Sequence, residues 1–231
     1  MGTTGATFER GAVAGRTHTG PLAGRTAVVM GASPDLGTAL ADALTARGAE
    51  VVFGEGEPKR PGSRGTAAFQ KIENQIAHKL DKAHEDLGHI DVLVTAATLP
   101  AEGDHTPARP RPLFESQVPS HLVGTWCAAH AAARLMAADG RGGEIVIVCK
   151  CGGGASAETG DQAPPLSEAM LARDLARCFR PSDVRVNVLA LGRDAVAEDL
   201  VDSLLMLVSE AADPVSGTTL MVDGARDPAR R

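Results

Sequence analysis

Thr26-Ala-Val-Val-Met30-Gly31-Ala-Ser33-Pro34-Asp35-Leu-Gly37-Thr-Ala-Leu40 is the stretch on which the fold turns. Thr26 to Met30 is a short apolar run ending at a glycine, the pattern of a strand buried on both faces. From Leu36 to Arg47 the apolar residues recur at helical spacing, and Gly48 then supplies a stop signal. Glu50 to Phe53 is a second apolar run. Strand, glycine-containing turn, helix and strand within about 30 residues make one β-α-β unit.

The alternation continues outward. Thr66 to Gln70 reads as a short third strand, and Ile72 to Leu87 as an amphipathic helix closed by Gly88. Asp91 to Thr95 is a strand, Phe114 to Ala138 a long helix, and Glu144 to Cys149 a strand. Leu166 to Phe179 and Val196 to Ser209 read as helices around the strand Val184 to Leu189, and Thr218 to Val222 is the last strand. Strands alternating with helices predict a doubly wound parallel sheet. Residues 1–20, rich in Gly, Thr and Ala without periodicity, read as a flexible N-terminal tail; 21–224 form the one domain and 225–231 a C-terminal tail.

Composition narrows the function classes. The chain has 231 residues, 43% hydrophobic but only 3% aromatic, so Ala, Val and Leu must fill a single core. A net charge of -6 argues against a nucleic-acid partner, which needs a basic footprint. No apolar run reaches the roughly 20 residues of a membrane span. No secretion signal is evident, so the four cysteines read as reduced thiols of a cytoplasmic protein.

Four stretches in order carry a family resemblance. They are Gly31 to Gly37, Gly88-His-Ile-Asp-Val-Leu-Val94, Arg185-Val-Asn-Val188 and Ser216-Gly-Thr-Thr-Leu-Met-Val-Asp-Gly224. From Leu22 to Gly224 the chain resembles the short-chain dehydrogenase/reductase family. The resemblance implies a Rossmann-type sheet that binds a dinucleotide at the turn after its first strand. Gly31, Ser33, Asp35 and Gly37 would line that turn, where backbone N–H groups and the helix dipole meet a pyrophosphate. Glu55, just past the second strand, would hold a ribose hydroxyl and favour NAD, and Ala96 falls in Thr95-Ala-Ala-Thr98, in place of the family's Asn-Asn-Ala-Gly. Asp35 stands where the family has its middle glycine and would repel a diphosphate; Pro34 removes a donor. The expected cofactor is therefore none, or a weakly bound NAD(H).

The family's catalytic Tyr, Lys, Ser and Asn find no counterparts. The chain contains no tyrosine. Counted back from Arg185 without gaps, the Tyr position falls on Asp161 and the Lys position on Pro165; the Asn position falls on His121 and the Ser region on Cys149-Lys150-Cys151. His121, Asp161 and Lys150 are the candidate catalytic residues. His121 and Asp161 are either an acid/base pair or a helix-bend histidine and a loop carboxylate. Cys149 and Cys151 read as a strand end rather than a metal site, and no metal is expected.

Two segments are shortened. The second crossover, from Glu55 to Thr66, lacks room for a full helix, and no substrate-covering loop follows Leu191-Gly192. The leading expectation is thus a redox-silent homologue. It would be a partner subunit of an active relative or a catalyst of a non-redox step (isomerisation, dehydration or cyclisation) on a small molecule. The alternative is an NAD(P)-dependent oxidoreductase with His121 or Asp161 as proton donor. Ala128, Ala129, Ala131, Ala132 and Ala133 leave little side-chain bulk over nearly two turns. They suggest a homo- or hetero-oligomer formed through residues 114–138 and the neighbouring helix Ile72 to Leu87.

Overall fold

A computed structural model of the chain describes residues 9–10, 19–54, 66–97, 110–150, 166–192 and 195–224. The elements are β1 (Glu9–Arg10), β2 (Thr26–Met30), α1 (Pro34–Ala46), β3 (Glu50–Gly54), α2 (Thr66–Leu87), β4 (Val92–Ala97), α3 (Pro110–Asp139), β5 (Gly143–Lys150), α4 (Leu166–Phe179), β6 (Val184–Leu191), α5 (Ala197–Leu207) and β7 (Thr219–Val222). The sheet runs β1-β3-β2-β4-β5-β6-β7. Six of these strands are mutually parallel; β1 alone is antiparallel, pairing Glu9 with Phe53 and Arg10 with Val52.

The apolar runs become central strands because both sheet faces are covered. All five residues of β2 are buried. On one face Leu40 and Leu44 of α1 and Leu200, Leu204 and Leu207 of α5 pack with Val29, Val94 and Val146. On the other, Ile72, Ile76 and Leu80 of α2, Met136 of α3 and Leu175 of α4 pack with Val28, Leu93 and Ile147. This is the doubly wound architecture that the alternation predicts.

Three boundaries are corrected. Thr66 to Gln70 is not a strand but the opening of α2. Its apolar positions continue one helical stripe, Phe69, Ile72, Ile76, Leu80 and Ala83, into the same core. Among the described residues α2 is therefore the only element between β3 and β4. Helix α3 begins at Pro110, ahead of the expected Phe114. Glu9 and Arg10, within the stretch read as a tail, pair with the sheet edge; residues 1–8, 11–18 and 225–231 lie outside the described residues.

The family-like Arg185-Val-Asn187 stretch ties the amino ends of the strands together. Arg185 donates to the Ala212 carbonyl at 2.8 Å and to buried Glu144. Arg25 meets the same carboxylate at 3.3 Å and the Val208 carbonyl at 2.7 Å. Burial pushes the Glu144 carboxyl above its usual range, and the two guanidinium groups pull against that shift. Asn187 bridges the Val215 carbonyl, at 3.0 Å, and the Thr218 N–H, at 3.2 Å. These residues hold the end of the sheet remote from the glycine turn. β6 ends at Leu191 and α5 begins at Ala197.

Candidate active site at the carboxyl ends of the strands

In an open parallel sheet, ligands bind outside the carboxyl ends of the strands, where the chain direction switches. Here that edge is set by register. Met30 stands beside Gly54 on one side and Thr95 on the other; Ala97 pairs with Cys149, and Lys150 with Leu191. Gly31 follows Met30 directly and turns the chain with φ +76°, a conformation that favours glycine. A Cβ at Gly31 would lie 2.6 Å from the Ala96 carbonyl oxygen. The fold thus brings Gly31 and Ala96, two of the expected cofactor residues, into contact.

Ser33 is the N-cap of α1 in extended conformation, and its side chain makes no capping bond. Its carbonyl accepts the Gly37 N–H at 2.8 Å. The N–H groups of Asp35 and Leu36, in the first turn, have no acceptor within their own helix, as at any helix start. They form the donor set that a phosphate uses. Gly37 is buried, and the Phe53 ring occupies the space where a side chain would be. The turn can therefore approach β3 only through a glycine. Asp35 is solvent-exposed. Water and salt screen an exposed carboxylate, so its repulsion of a diphosphate is weaker than the sequence suggests.

Two of the expected catalytic residues fall on described elements. Lys150 ends β5 at the site edge, and Cys149 before it is buried, its thiol donating to the Leu189 carbonyl at 3.7 Å. His121 lies on α3. Asp161 and Glu55 lie outside the described residues.

A second feature went unread in the sequence. Phe69, Leu122, Trp126, His130, Leu171 and Phe179 line a groove of about 520 Å³ between α2, α3 and α4. Trp126 and His130 stack with ring centroids 4.6 Å apart, and Phe179 meets His130 edge-on at 5.8 Å. Burial, then the Arg134 charge, holds His130 below the ordinary histidine range, against a smaller opposing pull from Glu73. The signal was available as Trp126 and His130 at i, i+4, but Phe69 and Phe179 reach them only through tertiary packing. By contrast, Ala128, Ala129, Ala132 and Ala133, read as an association surface, are buried in the protein's own core.

The chain belongs to the short chain dehydrogenase family, whose model matches residues 25–197. It is 28% identical over 248 residues to cis-4-hydroxycyclohexanecarboxylate dehydrogenase of Sinomonas cyclohexanicum, covering 88% of this chain and 96% of that one. It is 27% identical to an L-rhamnose 1-dehydrogenase (NAD(P)(+)) of Azotobacter vinelandii, again over 88% of this chain and 96% of the relative. Its fold matches the crystal structure of carveol dehydrogenase from Mycobacterium avium in complex with NAD, with TM-score 0.68, 19% identity and coverage of 89% and 98%.

These findings overturn two expectations. A redox-silent homologue, whether partner subunit or non-redox catalyst, is displaced, because the relatives that span almost the same length are dehydrogenases. The expectation of no cofactor, or of weakly bound NAD(H), falls with it: the family and the relatives are dehydrogenases, and one relative carries NAD(P)(+) in its name. Asp35, whose charge weighed against a diphosphate in the sequence, is exposed, and solvent screens it. Among the described residues no helix is long and apolar enough to cross a membrane.

Proposed function

We propose that this chain is an NAD(P)-dependent oxidoreductase that interconverts a small-molecule alcohol and its carbonyl form, with a proton donor other than tyrosine. The observation that carries the reading is the glycine turn from Gly31 to Gly37, seated against Ala96 and opening α1 with no side-chain cap at Ser33. Gly31, Ser33, Asp35, Gly37 and Ala96 would hold the pyrophosphate and its neighbouring ribose. Glu55 would accept from an adenosine ribose hydroxyl and favour NAD. The cofactor supplies the hydride chemistry.

The chain contains no tyrosine, so the family's usual Ser-Tyr-Lys set is incomplete. His121 or Asp161 takes the proton in this reading. A histidine titrates close to neutral pH and suits the task. Lys150, at the edge of the site, would bias the donor by its charge. The test is a titration with NADH and NADPH followed by cofactor fluorescence, with an alcohol panel assayed beside His121→Ala and Asp161→Asn. We expect dinucleotide binding, turnover of at least one alcohol, and a loss of about 100-fold or more in one variant. Absence of both binding and turnover would overturn the reading.

We further propose that the chain self-associates at α3 and α4, through their outer faces and not through the alanine run of α3, which is buried in the core. Met170 and Leu166 on the adjoining α4 are 67% and 72% exposed, which supports an apolar face completed by another copy. A cytoplasmic location accords with a nicotinamide-dependent reaction and with free thiols at Cys127, Cys149 and Cys178.

A further inference from the structure

We propose that Glu9 and Arg10, as strand β1, close the adenosine side of the dinucleotide site, in the place where an ordinary doubly wound sheet carries a third parallel strand. The inference rests on the oxidoreductase reading above.

The common dinucleotide-binding order sets a third parallel strand outside the second. Here α2 runs straight into β4, and β3, the second parallel strand, would be left at the edge. Among the described residues its outer neighbour is β1, drawn from the start of the chain and running the opposite way. An unpaired edge presents a row of free N–H and C=O groups, and β1 covers them at one end of β3.

That end is the one beside the cofactor. Glu9 stands opposite Phe53 and Arg10 opposite Val52, while β3 ends at Gly54. Gly54 pairs with Met30, which leads directly into Gly31. The Phe53 ring rests on Gly37. A strand that fixes the backbone at Phe53 therefore fixes one wall of the phosphate turn. Glu55, the residue assigned to the ribose, is two positions beyond Phe53. If pairing of β1 strengthens binding of the adenosine half, that binding strengthens the pairing by the same factor, since coupling between two sites is reciprocal.

The experiment uses the full chain with Glu9→Pro and Arg10→Pro made separately. In an antiparallel ladder, neighbouring residues alternate in turning their N–H toward the partner strand, and proline has no N–H to give. One variant should weaken NADH, ADP-ribose and AMP by about tenfold, the value of a lost backbone hydrogen bond. The other should change less, nicotinamide mononucleotide should be unaffected in both, and the melting temperature should stay within a few degrees of the parent. On the unaltered protein, AMP should slow amide exchange in the peptides containing Glu9 and Phe53. Unchanged AMP affinity in both variants, or equal weakening of nicotinamide mononucleotide, overturns the proposal. So does AMP-insensitive exchange. Failure of the unaltered protein to bind any dinucleotide instead overturns the oxidoreductase reading, and this inference with it.

Discussion

Gly31 and the carbonyl of Ala96 are packed so closely that a methyl group on Gly31 would lie 2.6 Å from the Ala96 oxygen. The clash is with backbone in a buried strand, which cannot swing away as the end of a side chain could. The φ of +76° adds a second penalty for any L side chain. Gly31→Ala should therefore cost about 2 kcal/mol in a urea melt. It should also abolish NADH binding, because the turn must shift. A variant with parent-like stability and affinity would show that the turn is looser than described.

The buried alanines and the exposed face of α4 predict opposite behaviours. Ala132 is fully buried, so Ala132→Glu puts an unpaired charge in the core and should cost more than about 3 kcal/mol, or prevent soluble expression. Met170 is 67% exposed, so Met170→Glu should change stability by less than about 0.5 kcal/mol. It should nonetheless lower the molar mass measured by light scattering. A mass unchanged by Met170→Glu would remove α4 from the association face.

His130 makes stability depend on pH. Its folded-state pKa is depressed, first by burial and then by Arg134, with Glu73 opposing. The sign follows from the neutral form being preferred in the folded protein. The contribution is present above the ordinary histidine pKa and is lost as pH falls through the folded value. Asp174 also lines the groove and adds a carboxylate on the α4 side. Between about pH 7 and about pH 5, His130→Phe should lose less stability than the parent in urea melts. Parallel pH profiles for the two proteins would sink this account.

Thiol chemistry should separate the cysteines. Cys178 is exposed, whereas Cys127 and Cys149 are buried. Burial, then Glu73, pushes the Cys127 thiol up to about 11. At about pH 8 only about one Cys127 in a thousand is then thiolate. Iodoacetamide followed by peptide mass spectrometry should label Cys178 within minutes and Cys127 and Cys149 only after unfolding. Comparable native labelling at Cys127 and Cys178 would contradict the packing of α3.

Much of the fold was legible because its signals are local. A strand buried on both faces must be apolar throughout, so Thr26 to Met30 announced itself. Gly31 and Gly37 punctuated the turn as backbone sterics demand. The error at Thr66 to Gln70 has a physical cause. Thr66 to Gln70 is too short for periodicity to separate strand from helix, and the decision came from Phe69, whose ring lies 5.8 Å from that of Trp126 on another helix.

By itself, the sequence determined the order of elements, the β-α-β unit with its glycine turn, and the absence of tyrosine. Each depends on residue identity and near neighbours alone. Only tertiary structure decided which side of the alanine run on α3 faces the sheet, since five small residues carry no marker of inside or outside until β4 and β5 lie beneath them. It likewise decided that Asp35 stays in water, where its charge is screened. It decided, too, that Glu9 and Arg10 pair with Val52 and Phe53. That contact joins segments more than forty residues apart. No local propensity specifies it, because its free energy comes from backbone groups that meet only once the sheet has formed.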